Sequence, residues 1–473
     1  VDKSPEQISR EIIDLCAGCE LCRDILADTP CMFFPKLFRL YDRERAGKGD
    51  IASDEFRSLM TLCNMCGQCS CAPVRTKIRE AKDGFVSRQP KKFIDRMLQD
   101  VRLVGRIGGA LPRLFNLLLQ TEPTAGICKK AIGVHPDRKL PAFPTESFDS
   151  WAKARNLFAM NGGAGRKVAY FVGCSAKYLF PQVARATVEV LERNGISVYL
   201  PDQQCCGAPG MLEGDRAFAF ASMTANMATL RGCVDAGYDI VCSCPTCGYM
   251  LKSVLRDGAQ YSEKICAKLQ ERLRQENGSF HNLGKRLEAE EASSPRHSVT
   301  PQRSYSPLTV KMMVSGLIKD EGYFASLDAE DRLKVSGNVY DLGEYLKILH
   351  KAGEMNLRLG AVPGRMVYFP PCHLKEQDMG TPWTDLLALV PGFSLPTVGG
   401  PFDCCGSAGV RGFQKKFHKV SLTQGRPLMD KISAAQPQTV ATDCLSCRLQ
   451  INQMLPYPVV HPVEVLLDAY RAG

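Results

Sequence analysis

Short apolar runs alternate with longer stretches of helical periodicity in two parts of the chain, and the two parts match. Residues 168–172 and 366–369 are continuous apolar runs that lead to a cysteine within a few positions. Each is followed by a helical stretch and a second apolar run, 196–200 in one part and 393–398 in the other. Long helical patterns cover 215–236 and 414–435, and third apolar runs, 240–244 and 439–444, each deliver a Cys-x-x-Cys into the start of another helix. Strands alternating with helices at this spacing predict parallel sheets built from βαβ units, hence an α/β class with two repeated lobes. The cysteines fall at the ends of the predicted strands, the edge where such sheets place their ligands.

The rest of the chain patterns differently. Residues 278–307 are polar and rich in Ser, Glu and Arg, which predicts a surface insertion or disordered linker, and 308–359 return to helix beside the second lobe. In the connector ahead of the first lobe, Phe93, Ile94, Met97, Leu98, Val101 and Val104 recur at helical spacing beside Lys91, Lys92, Arg96, Arg102 and Arg106. This reads as a basic amphipathic helix for a membrane surface or a partner; the alternative is an ordinary surface helix packed on its own domain. Residues 102–119 continue the pattern. They are apolar enough for a bilayer interface and too interrupted to span one, unless Leu114, Phe115, Leu117 and Leu118 are buried against another subunit. The expected divisions are 1–83, 84–165 (connector), 166–277 (first lobe), 278–359 (insertion and helices) and 360–473 (second lobe).

Composition changes this picture at one point only. Of 473 residues, 45% are hydrophobic and 23% charged, as in an ordinary globular protein, and no apolar run is long enough to span a bilayer. The cysteine count of 22 is the exception. Residues 1–10 contain no apolar leader core, so a reducing cytoplasmic compartment is expected, where cysteine clusters serve metal or redox centres more often than disulfides. The net charge of +10 suits a membrane surface or an acidic partner, and no nucleic-acid motif accompanies it.

Eighteen cysteines fall into three blocks, leaving Cys128, Cys233, Cys242 and Cys266 as candidate plain thiols. In the first block Cys16, Cys19 and Cys22, and again Cys63, Cys66 and Cys69, are spaced C-x₂-C-x₂-C. That spacing wraps three thiolates around one face of a [4Fe–4S] cubane, with the fourth ligand supplied by the other run; soft sulfur ligands suit iron–sulfur centres. Cys71 then completes the first set and Cys31 the second. Zinc is the alternative, although its sites usually show paired rather than tripled cysteines. The intervals Cys22 to Cys31 and Cys69 to Cys71 both depart from the two-cluster ferredoxin pattern.

The other two blocks are one repeat. Cys174, Cys205, Cys206, Cys244 and Cys247 recur as Cys372, Cys404, Cys405, Cys444 and Cys447, offset by 198 to 200 residues. Two adjacent cysteines followed by glycine do not easily chelate a single tetrahedral ion and argue for a larger thiolate-rich cluster. Here the sequence resembles the CCG-domain family, which includes the cysteine-rich component of heterodisulfide reductase and the iron–sulfur subunit of glycolate oxidase. In its order of parts it is most similar to the iron–sulfur component of anaerobic glycerol-3-phosphate dehydrogenase. Residues 135–141, 341–345, 371–373, 404–409, 442–447, His461 and Pro462 carry the resemblance beyond the cysteines. It implies an α/β fold with an N-terminal α-helical, two-cluster ferredoxin-like domain and two repeated βαβ CCG lobes. It also implies that each five-cysteine set can hold a non-cubane [4Fe–4S] cluster, with zinc possible in one lobe. His373, next to Cys372, is a candidate catalytic proton donor or else a histidine holding its loop; Lys375, Asp443 and His461 are weaker candidates of the same kind.

No dinucleotide fingerprint, phosphate-binding loop or Ser-His-Asp arrangement is present, and two-electron chemistry on an organic substrate belongs to cofactors such as flavin or nicotinamide. The expected function is therefore an electron-transfer subunit of an oxidoreductase. It would take electrons from a flavoprotein dehydrogenase towards a membrane quinone, peripheral to the cytoplasmic face. The alternatives are a heterodisulfide-reductase-like catalytic subunit that reduces a disulfide, and a metal-bearing scaffold.

Overall fold

A computed structural model of the chain describes residues 3–67, 69, 71–89, 92–121, 123–160, 165–293 and 306–473. Lys91 of the connector and residues 294–305 of the polar insertion lie outside the described residues.

The chain begins with helices Pro5–Cys19, Leu21–Ile25, Phe33–Arg45, Ser53–Leu62 and Ala72–Arg88. Ser4 opens the first with a reciprocal capping box to Gln7. Their apolar faces close on one core containing Ile12, Phe33, Leu37, Leu59, Met60 and Ile78. No strand occurs among the described residues before β1 (Lys167–Phe171), which corrects the expected ferredoxin-like domain. The reason lies between the two cysteine runs. There Phe33, Phe34, Leu37, Phe38 and Leu40, then Phe56, Leu59 and Met60, are buried at helical spacing. The interval is therefore a helical pair, with no period-two segment to build a sheet.

The α/β lobes follow. The first sheet is wholly parallel in the order β2–β1–β3–β4, with β2 Ser197–Tyr199, β3 Asp239–Cys242 and β4 Val339–Asp341. The second is β5–β6–β7, also parallel, from Met366–Tyr368, Thr439–Ala441 and Val459–Val460. The strand expected at 393–398 is reduced to a single bridge between Thr397 and Tyr368. Pro396 has no N–H to give a ladder, although its carbonyl accepts the Tyr368 N–H at 2.9 Å.

β4 lies in the segment expected to be helical beside the second lobe, yet it pairs with β3 of the first. It matches β7 in position, and the helices that follow start alike. Asp341 and His461 are N-caps with reciprocal capping boxes to Glu344 and Glu464. The repeat thus extends one strand and one helix beyond the cysteines. The lobes stand back to back on a shared core that includes Tyr170, Leu346, Trp383 and Leu466.

The polar insertion contains a helix, Phe280–Ala292. Among the described residues the connector holds five short helices, Phe93–Gln99, Val101–Ala110, Pro112–Gln120, Thr124–Ala131 and Phe148–Ala154. The expected single amphipathic helix breaks at Asp100, whose carboxylate caps the next one by accepting from the Arg102 and Leu103 N–H groups. Among the described residues, no helix is long and apolar enough to cross a membrane.

Candidate metal centres

The first thiol set forms where the end of helix Pro5–Cys19 meets the start of Ala72–Arg88. Burial pushes the Cys16 thiol up to about 12, helped by the neighbouring thiols of Cys22, Cys71 and Cys19. Cys19 and Cys71 are exposed. Cys71, far along the chain, is thus brought to the first run.

Cys31 is likewise brought to the second. Burial raises the Cys69 thiol, with Cys63, Cys66 and Cys31 adding to the effect. Cys31 also feels Cys22 of the first set, so the two sets are neighbours. A cavity of about 330 Å³ is lined by Cys31, Cys63, Cys66 and Cys69, together with Arg75, Tyr249, Glu376 and Cys404.

Each lobe presents its five thiols at the carboxyl ends of its strands. Cys174 begins the helix after β1 and Cys244 is the N-cap after β3. Cys372 begins the helix after β5, and Cys444 is the N-cap after β6. The Cys-Cys-Gly turn is forced by what packs on it. Gly207 and Gly406 have φ of +86° and +81°. A Cβ on Gly406 would meet the Ser421 carbonyl at 2.2 Å, and one on Gly207 the Ala219 carbonyl at 3.0 Å. Only glycine accepts both the left-handed backbone and the close approach of the following helix.

In the first lobe the thiols touch in the order Cys174, Cys205, Cys206, Cys247, Cys244. Hydrogen bonds from Cys205 and Cys247 pull Cys206 down to about 6, and the bond from Cys247 pulls Cys244 down to about 7. The second lobe repeats the last four places of this order and differs at Cys372. Cys447 donates to Cys405 at 3.0 Å, Cys404 and Cys444 flank that pair, and Cys372 stands beside Cys405 and Cys444. Neighbouring thiols hold Cys405 down and push Cys404 up. Such crowding opposes ionising all five thiols together, a cost that bound cationic metal offsets. An all-thiol donor set fits an iron–sulfur group.

Both lobes face one cavity of about 210 Å³, lined by Cys206, Cys244 and Cys247 on one side, Cys372, Cys405 and Cys447 on the other, and Cys66 and Cys404 between. Cys66 also adds to the upward shift of Cys404. The remaining wall is apolar and includes Leu98, Val101, Val104, Leu119 and Phe143 of the connector.

His373 lines this cavity with both ring nitrogens engaged. Nε2 donates to the Met65 carbonyl at 3.1 Å, and Nδ1 lies 3.0 Å from Thr246 Oγ1, from which it accepts. Its ring stacks on Tyr249 at 4.7 Å, and burial lowers its pKa. His373 therefore ties the second-set loop to the first lobe, and a proton-donating role requires one of these bonds to open. Lys375 Nζ donates to the Gly400 carbonyl at 2.7 Å. Asp443 is buried against the Tyr368 hydroxyl and its carboxyl is pushed well up by desolvation. His461 is fully buried and bonded to the Ser243 carbonyl at 2.9 Å.

Arg411 and Lys82 escaped the sequence reading. Both donate to the Cys63 and Leu212 carbonyls, joining the second thiol set to the first lobe. A signal existed for Arg411: it occupies the repeat position of Leu212 after Cys-Cys-Gly. Among the described residues, the three-ligand group drawn within 4.8 Å is His135, Asp137 and His418, not a thiol set. The two imidazoles stack at 3.9 Å and 8°, so their lone pairs run parallel rather than converge. This pair closes the connector onto the second lobe, beside the Val134–Gln414 bridge.

The CCG cysteine-rich domain family matches residues 168–252 and 366–452. Over 396 residues the chain is 23% identical to a subunit of anaerobic glycerol-3-phosphate dehydrogenase of Escherichia coli (strain K12), covering 83% of this chain and 81% of that one. It is 22% identical over 452 residues to a subunit of fumarate reductase (CoM/CoB) of Methanothermobacter marburgensis, covering 89% and 74%. Lactate utilization protein A of Halalkalibacterium halodurans is 49% identical over 49 residues, 10% of this chain and 20% of that protein. Paired parallel-sheet lobes with repeated thiol sets, together with similarity to these subunits, define a protein of the electron-transfer oxidoreductase class. Within that class the chain carries the CCG domain twice, as its Cys-Cys-Gly repeats imply.

Proposed function

We propose that the chain is the iron–sulfur electron-carrying subunit of an oxidoreductase complex, linking a flavoprotein dehydrogenase to a membrane quinone. The carrying observation is that the thiol sets follow one line. The set of Cys16, Cys19, Cys22 and Cys71, of which Cys19 and Cys71 are exposed, adjoins that of Cys31, Cys63, Cys66 and Cys69 through Cys22 and Cys31. The second set adjoins the second lobe through Cys66 and Cys404, and both lobes then share a cavity. On this reading the first two sets hold [4Fe–4S] cubanes and the lobes hold non-cubane [4Fe–4S] clusters, and when bound these groups supply one-electron transfer. Five thiols in each lobe, two of them adjacent in sequence, support a multi-iron group over a lone zinc.

The residues around the line hold and insulate it. His373, Arg411 and Lys82 fix the second set against the lobes, and the connector roofs the shared cavity with apolar side chains. The outer side of the same roof exposes Leu103, Ile107, Leu111, Leu114 and Leu117, with Arg96, Arg106 and Arg113 exposed among them. That combination suits an anionic bilayer surface and a lipophilic acceptor. The names of the relatives from Escherichia coli and Halalkalibacterium halodurans, a glycerol-3-phosphate dehydrogenase component and a lactate utilization protein, support an organic-substrate dehydrogenase as the donor.

One observation favours a second reading, disulfide reduction: both five-thiol sets face a single cavity. Reduced protein bound to anionic vesicles decides between them. It should be reoxidised by a short-chain quinone and not by a small disulfide, and the reverse result transfers the assignment to disulfide reduction.

A further inference from the structure

An electron path needs an end that another protein can reach. Cys19 and Cys71 of the first set are exposed, whereas the lobe thiols are buried or half-buried. Around them three large aliphatic side chains stand in water: Leu15, Leu21 and Ile25 are 49%, 56% and 51% exposed. Isolated exposed leucines need no explanation, but a cluster beside exposed thiols marks a contact surface.

The charge around this patch runs against that of the molecule. Asp14, Glu20, Asp24 and Asp28 are all exposed within one short stretch, on a chain whose net charge is +10. The basic side chain in that stretch, Arg23, donates to Asp42 at 2.8 Å, stacks over Phe38 and reaches Glu20 at 3.3 Å, so it offsets Glu20 and leaves Asp14, Asp24 and Asp28 to set the charge of the patch. An apolar centre with a single-sign rim is the anatomy of a steered, transient electron-transfer contact.

We propose that residues 14–28 and Cys71 form the docking face for the protein that exchanges electrons with this chain, and that this partner is a redox protein whose cofactor lies beneath a basic rim. The proposal rests on the electron-carrying reading and adds to it the location of the contact and the charge of the partner.

The test uses iron-replete, anaerobic protein and oxidised cytochrome c, a basic one-electron protein, as the probe. Calorimetry at low salt should detect a complex that the triple variant Asp14→Lys, Asp24→Lys, Asp28→Lys weakens about tenfold. The control Glu271→Lys, Asp430→Lys, Asp468→Lys makes the same change of net charge elsewhere and should shift affinity less than about twofold. Both variants should keep the wild-type iron content. The proposal is overturned if the wild type forms no complex, if the control weakens binding as much as the triple variant, or if sedimentation shows a wild-type dimer that the triple variant dissolves. The electron-carrying reading fails separately: a complex weakened as expected, in which reduced protein leaves the bound cytochrome oxidised, keeps the docking face and discards the path behind it.

Discussion

With one guanidinium, Arg411 joins three separate stretches of the chain. Its Nε donates to Glu213 at 3.0 Å, one terminal nitrogen donates to the Thr61 and Cys63 carbonyls, and the other to the Leu212 carbonyl at 2.7 Å. Removing it leaves buried acceptors short of a donor, so Arg411→Met should destabilise the holoprotein by about 3 kcal/mol. Denaturant melts check this, and limited proteolysis should show new cleavage near Cys63. His461 provides a second test. Burial lowers it to about 3 from its ordinary 6.5, so between those values the unfolded chain binds a proton that the folded chain refuses. Its contribution is therefore full above pH 6.5 and lost as pH falls towards 3. From pH 7 to pH 5 the loss is about 2 kcal/mol. His461→Asn, which keeps an acceptor for the Val463 N–H, should flatten this part of the stability profile, and a profile as steep as the wild type would refute the assignment. At this scale the sequence grouped the cysteines that the fold brings together, because tripled and doubled cysteines are rare patterns. It did not show the side chains that tie domains together, because their partners are backbone carbonyls of distant residues.

At the scale of elements, period and spacing revealed the two parallel-sheet lobes but not the order of their strands. They did not reveal the last strand of either sheet, which no ligand-type cysteine marks. β4 has three residues and β7 two, and both were hidden in stretches that read as helix or loop. The connector is the element with the most to test. Gly105 and Gly108 pack so closely on Tyr178 and Phe143 that a Cβ at either would fall within 2.4 Å of those side chains, so the inner face is fixed on Tyr178 of the first lobe and on the connector's own Phe143. Its outer face remains apolar, with Leu114 and Leu117 48% and 60% exposed. Wild type should float with anionic vesicles, and Leu114→Asp, Leu117→Asp should remain in the dense fraction with its iron retained. If both behave alike, the apolar face serves a protein contact instead.

For the whole molecule, the expected iron content is about 16 per chain if all four thiol sets carry four irons each. Anaerobic iron and acid-labile sulfide analysis checks this; a value near half, accompanied by zinc, would remove the lobes from the path. Cys66→Ser should lower the count, since Cys66 is a proposed ligand of the second set, beside Cys69 and Cys404. Cys233→Ser should not, because Cys233 is buried in helix Arg216–Asp235 and raised to about 11 by burial alone.

The placement of β4 also sets an order of events during synthesis. A chain emerging from the ribosome presents its amino-terminal half first. Cys174 to Cys247 are all translated well before Val339–Asp341, the strand that completes their sheet. Arg411, which secures the loop of Cys63, comes later still. The cysteines around Cys63, among the earliest to leave the ribosome, are therefore among the last to reach a finished environment. On the proposed reading, a cluster inserted there before Arg411 emerges would meet an incomplete site, so loading of that set is expected on the released chain.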